Sequence, residues 1–159
     1  MLPYGRQSIT DEDIAAVTEV LRGDWLTTGP YVRDFEAAVS SLAGGLPAVS
    51  CTSGTAALHA AYAALGVGPG DEVVTTPMTF VATASGASLL GATVVFADVD
   101  PATGLLDPLS VADVVTDRTR VVAGVDYAGH PCDWDALASV AASVGAVTLD
   151  DAAHSVGGT

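Results

Sequence analysis

Residues 53–77 read SGTAALHAAYAALGVGPGDEVVTTP, and the fold turns on how this stretch divides. Leu58, Tyr62 and Leu65 recur at the spacing of one helical face, which predicts a helix over 54–68. The GPGD turn at 68–71 breaks it. The EVVTTP run that follows is short and apolar at successive positions, so it reads as a strand with protein on both sides. A helix turning into such a strand is the unit of a parallel sheet covered by helices on both faces.

The same alternation continues toward the C-terminus. FVATASGASLLG (80–91) reads as a helix weakened by Gly86, TVVFADVD (93–100) as a strand and LSVADVVT (109–116) as a short helix. RVVAGVDYAG (120–129) is a strand, DWDALASVAASVG (133–145) a helix with Leu137, Val140 and Val144 aligned, and AVTLDDA (146–152) the last strand. Before the opening stretch, PAVSCTS (47–53) reads as one more short strand. The first 45 residues differ. TDEDIAAVTEVLRG (10–23) begins at a Thr10 cap with acids in its first turn, and Ile14, Val17 and Leu21 share a face. GPYVRDFEAAVSSLAGG (29–45) aligns Val32, Phe35 and Val39 and ends in two glycines. The expected organisation is a helical segment over 1–45 and a three-layer α/β/α, mostly parallel sheet domain over 46–159.

Composition narrows the function. Half of the 159 residues are hydrophobic, and 19 acids face five basic residues, all arginine, for a net charge of −14. That surface repels nucleic acid and anionic lipid. The N-terminus has no signal-peptide core, and no apolar run reaches the ~18 residues of a membrane span. Cys51 and Cys132 make neither a disulfide framework nor a zinc motif and read as free thiols of a cytoplasmic protein.

Ligands of open parallel sheets bind at the carboxyl ends of the strands. Three such ends carry chemistry here. At SCTSGTAAL (50–58) a turn opens a helix, so free N–H groups, hydroxyls and the positive helix end face one point, which suits a phosphate. The same residues also describe an ordinary serine-capped helix. The loop is not a Walker A, because the chain holds no lysine. At TTPMTFVAT (75–83), Phe80 could stack on a flat ring, although its spacing alone favours a core position. At LDDAAH (149–154), Asp150, Asp151 and His154 could ligate a metal or begin a solvated helix. A carboxylate there could also hold a proton on a pyridine nitrogen.

YGRQSI, DWLTTGP, SGTAALHAAYAALGVGPGDEV, TFVATA and DDAAHSVGG occur in this order. Together they resemble the pyridoxal-phosphate-dependent sugar-nucleotide aminotransferases of the DegT/DnrJ/EryC1/StrS family. VDYAG at 125–129 is most similar to the branch that makes UDP-4-amino-4,6-dideoxy-N-acetyl-β-L-altrosamine toward pseudaminic acid. The resemblance implies the N-terminal part of a fold-type-I large domain, pyridoxal 5'-phosphate as cofactor, and a homodimer. It implies glutamate as amino donor and a 4-keto-6-deoxy sugar nucleotide as acceptor. Gly54, Thr55 and Ala56 would cradle the cofactor phosphate, Phe80 would stack on the ring, Asp151 would pair with the ring nitrogen, and His154 would lie near the phenolic oxygen. Tyr4, Asp24, Trp25, Leu26 and Thr27 would line the sugar-nucleotide side. No metal is implied. The family's Schiff-base lysine would follow residue 159, so no catalytic residue of that kind stands in this chain. The expectation is an N-terminal portion that is inactive in isolation; the alternative is a non-catalytic remnant or binding module.

Overall fold

The computed structural model describes residues 6–157. The chain divides into two compact units, Met1–Ser50 and Cys51–Thr159.

The first unit holds α1 (Asp11–Arg22) and α2 (Pro30–Leu42). Thr10 caps α1 reciprocally: its hydroxyl accepts from the Asp13 N–H at 3.3 Å, and its own N–H donates to the Asp13 carboxylate at 2.8 Å. Pro30 opens α2, where its missing N–H costs no helical bond. The aligned faces do form, but Ile14, Val17, Leu21 and Phe35 are exposed.

The second unit runs α3 (Gly54–Ala64), β1 (Glu72–Thr75), α4 (Ala82–Ser88), β2 (Thr93–Phe96), α5 (Pro108–Val114), β3 (Thr119–Val125), α6 (Trp134–Ser143) and β4 (Val147–Asp151). The four strands make one all-parallel sheet in the order β2-β1-β3-β4. The chain leaves β1 toward β2 and then crosses back to β3, so the switch point lies between β1 and β3.

Side-chain alternation along the strands splits the core in two. Val73, Val121 and Ala123 pack with Tyr62 and Ala87 on the α3–α4 face, with Leu149 against them. Val74 and Val122 pack with Val111, Leu137 and Ala141 on the α5–α6 face. This two-sided burial is the reason the strand sequences are apolar at successive positions. Tyr62 and Leu137 are fully buried, and core truncations of this kind cost ~2–5 kcal/mol. At the amino ends of β1 and β3, Glu72 is paired with Arg118 and accepts the Thr116 hydroxyl at 2.6 Å. These hydrogen bonds hold its carboxyl below the usual range.

Two local expectations need correction. Residues 47–53 do not form a strand, since no ladder partner meets them among the described residues. A strand needs a neighbour for its N–H and C=O groups, however suitable its own composition. The helix expected over 80–91 is shorter, and Phe80 lies outside it. Gly86 has a packing role there: a Cβ would sit 3.2 Å from the Tyr62 ring and 3.4 Å from the His59 nitrogen. The helix propensity lost at Gly86 is what permits α3 and α4 to close on each other.

Candidate active site

α3 starts where Ser53 takes an extended conformation and its hydroxyl accepts the Ala56 N–H at 3.1 Å. The N–H groups of Gly54 and Thr55 find no acceptor among the described residues. They stand at the positive end of an 11-residue helix with exposed residues around them, a local field that favours an anion.

Tyr62, two turns further along α3, donates its hydroxyl to the Thr83 carbonyl at 2.8 Å. Burial and the negative charge of Asp151 raise the Tyr62 pKa, so it remains a donor. Thr83 belongs to α4 and is fully buried. Its hydroxyl is 2.6 Å from Asp151 Oδ2, 2.7 Å from the Thr79 hydroxyl and 3.2 Å from the Phe80 carbonyl. One proton serves one acceptor well, and the short contact to the carboxylate takes it. Asp151 Oδ1 has no donor among the described residues. Phe80 is 72% exposed, so the core position that its spacing favoured does not hold.

The two neighbouring acids diverge. Asp151 shares the α3–α4 face with Leu149 and Thr83, while Asp150, one residue earlier, points the other way. Partial burial, then the charges of Asp126 and Asp151, push the Asp150 carboxyl up to about 6. Asp150, Asp151 and His154 therefore do not converge, and no three metal-ligating side chains do so among the described residues.

His154 follows β4, and its Nδ1 accepts the Ala128 N–H at 3.2 Å. A backbone donor requires a bare Nδ1, so the neutral ring carries its proton on Nε2. The Tyr127 and His154 rings meet edge-on at 6.0 Å. The turn that places the Ala128 donor depends on Gly129 at φ +83°, where a Cβ would approach the His154 carbonyl oxygen to 3.1 Å.

Asp126 organises the neighbouring segments. It is 4% exposed, and both its oxygens are engaged. Oδ1 accepts from Cys132 N at 2.9 Å and Trp134 Nε1 at 3.2 Å; Oδ2 accepts from Ser155 Oγ at 2.8 Å. Burial, then Asp126, pushes the neighbouring Cys132 thiol up to about 11, so it is an inert thiol. The sequence marks neither Thr83 nor Asp126 as a site residue, and Tyr62 only as part of the aligned face of its helix. Thr83 lies one helical turn beyond Phe80 in TFVAT, the only hint available there.

Of the remaining expected residues, Asp24, Trp25, Leu26 and Thr27 belong to the first unit and are exposed. Trp25 folds over Gly29, where a Cβ would come within 2.9 Å of it, and a shallow groove there includes Arg33. Tyr4 lies outside the described residues.

Fold and site define a parallel α/β domain with an exposed helix start at Gly54, an exposed aromatic ring at Phe80 and a carboxylate at Asp151 held by Thr83. The chain belongs to the DegT/DnrJ/EryC1/StrS aminotransferase family, whose model matches residues 7–159. It is 46% identical over 155 residues to the spore coat polysaccharide biosynthesis protein SpsC of Bacillus subtilis (strain 168), covering 98% of this chain and 40% of that protein. It superposes with a TM-score of 0.89 on 3-amino-5-hydroxybenzoic acid synthase, at 39% identity over 94% of this chain and 40% of that one. Against Spr1654 of Streptococcus pneumoniae, solved in PLP and PMP forms, the TM-score is 0.84 at 35% identity, over 89% of this chain and 36% of that one. The fold is thus part of the aminotransferase fold, and the chain spans about 40% of the length of these relatives.

Proposed function

We propose that this chain forms the cofactor-binding portion of a sugar-nucleotide aminotransferase, with residues 46–159 as the cofactor domain and residues 1–45 on the substrate side. The cofactor is pyridoxal 5'-phosphate, as the family and the PLP and PMP forms of a relative indicate. One observation carries the reading: Asp151, at the strand ends, is fixed through Oδ2 by Thr83 while Oδ1 has no donor among the described residues.

The residues present fit the group. The Gly54 and Thr55 N–H groups at the α3 start would hold its phosphate, with Ala56 completing the turn. Phe80 would cover one face of its ring and keep water from it. Asp151 Oδ1 would accept the ring N–H and hold a proton at that nitrogen. His154 would donate from Nε2 to the phenolic oxygen. Once bound, pyridoxal phosphate supplies an electron sink for negative charge at the carbon whose nitrogen is exchanged.

We assign glutamate as amino donor and a 4-keto-6-deoxy sugar nucleotide as acceptor, met by Tyr4 and Asp24–Thr27. The VDYAG segment favours the altrosamine branch of pseudaminic acid synthesis. A cytoplasmic homodimer suits this chemistry, and no helix among the described residues is long and apolar enough to cross a membrane. The 159 residues hold no lysine. On their own they should bind cofactor without transferring amino groups, because the family's covalent anchor and proton carrier is a lysine.

Equilibrium dialysis of the 159-residue chain against pyridoxamine 5'-phosphate tests this. Saturable binding that inorganic phosphate competes away is expected, with no amino transfer from glutamate to a 4-keto sugar nucleotide. Absence of saturable binding overturns the cofactor reading, and steady transfer overturns the inactivity.

A further inference from the structure

We infer that Thr83 is a positioning residue of this site, one that sets α3, Phe80 and Asp151 relative to one another. The inference rests on the cofactor reading above and extends it to a residue that would not touch the cofactor. Three elements meet at Thr83. Its carbonyl receives Tyr62 from α3, the helix whose first N–H groups form the anion cradle. Its hydroxyl holds Oδ2 of Asp151 at the end of β4. Its N–H donates to the Phe80 carbonyl at 3.2 Å. Phosphate cradle, ring-facing aromatic and ring-nitrogen acid are thus registered through one buried threonine.

The hydroxyl fixes the Asp151 carboxylate through Oδ2, while Oδ1 has no donor among the described residues. The Thr79 hydroxyl at 2.7 Å supports the arrangement by donating to Thr83 Oγ1 while Thr83 donates to Asp151. Tyr62 of α3 lies near this carboxylate, while Asp150, its neighbour on β4, points to the opposite face. Valine has the shape of threonine without the donor, and serine keeps the donor without the methyl group.

The test compares Thr83→Val, Thr83→Ser and Asp151→Asn in the 159-residue chain with two readouts. The first is the carbon-13 chemical shift of the Asp151 carboxylate at about pH 7 without cofactor, which reports the hydrogen bond at Oδ2. Thr83→Val should move it, while Thr83→Ser stays near the parent. The second is the dissociation constant for pyridoxamine 5'-phosphate, which Thr83→Val should weaken by ~10-fold and Thr83→Ser by less than ~3-fold. If Thr83→Val leaves both unchanged while Asp151→Asn weakens binding, the inference falls and the cofactor reading stands. If Asp151→Asn itself binds like the parent, the cofactor reading falls and takes the inference with it. Should Thr83→Val not fold, the parent still decides. A slowly exchanging Thr83 hydroxyl proton coupled to Asp151 in its NMR spectrum supports the inference, and a freely exchanging one overturns it.

Discussion

Asp126 and Asp151 sit at the carboxyl ends of adjacent strands, and the structure treats them in opposite ways. Asp126 is buried with three donors on its two oxygens. Asp151 is half-buried with, among the described residues, one donor on one oxygen. The first is closed to a ligand by burial and by donors on both oxygens, and it fastens the segments after β3 and β4 to each other. The second is held at Oδ2 and has no donor on Oδ1 among the described residues, which leaves it open to a partner outside the chain. Position at a strand end marks both; burial and the engagement of both oxygens separate a structural acid from a candidate functional one.

The largest effect expected from this contrast is on stability. Asp126→Ala leaves Cys132 N, Trp134 Nε1 and the Ser155 hydroxyl without their acceptor, and should cost about 3–5 kcal/mol in urea unfolding. An equal loss for Asp151→Ala would break the comparison. Next comes binding. Asp151→Asn should weaken pyridoxamine 5'-phosphate by ~10- to 100-fold, the worth of ~1.5–3 kcal/mol for a charge-assisted contact, and Asp150→Asn by less than ~3-fold. If Asp150→Asn proves the damaging change, the two acids have been assigned in reverse. Phe80→Ala should weaken binding ~2- to 10-fold through lost stacking while leaving stability within ~0.5 kcal/mol. A marked fall in melting temperature would return Phe80 to the core.

The smallest effect sharpens the contrast by pH. The Asp150 carboxyl titrates near 6 when folded, above its ordinary 3.8. The folded state therefore holds that proton more tightly than the unfolded chain does. The resulting stability is present below about pH 4 and is lost as pH rises through about 6. Asp150→Asn should flatten this part of the stability profile in urea melts between pH 4 and 7. An unchanged profile would locate the slope in other groups.

Much of this was legible in the sequence because it is periodic. The helices with aligned Leu58, Tyr62 and Leu65 or Leu137, Val140 and Val144 form, and all four strands from Glu72 onward pair in parallel. The opposed directions of Asp150 and Asp151 follow from the two-residue repeat of a strand. Residues 47–53 misled because strand composition is a local property and a ladder partner is not. Phe80 misled because helical spacing was extended two residues past where α4 begins. Thr83 was illegible for a different reason: nothing in TFVAT announces a carboxylate 68 residues away. The three donors on Asp126 come from separate positions beyond it, so VDYAG alone could not reveal a buried, saturated acid.

The distance from Thr83 to Asp151 also sets an order in time. The first helix of the unit meets α4 within 21 residues through Tyr62, and β1 meets β3 within 48 through Thr75. The Asp151 contact closes over 68. Loop closure costs more as the separation grows, and a chain made from its N-terminus presents the near partners first. The contact between α4 and β4 is therefore the latest of these three to close, so the start of α3 is in place before the acid that completes the site joins it.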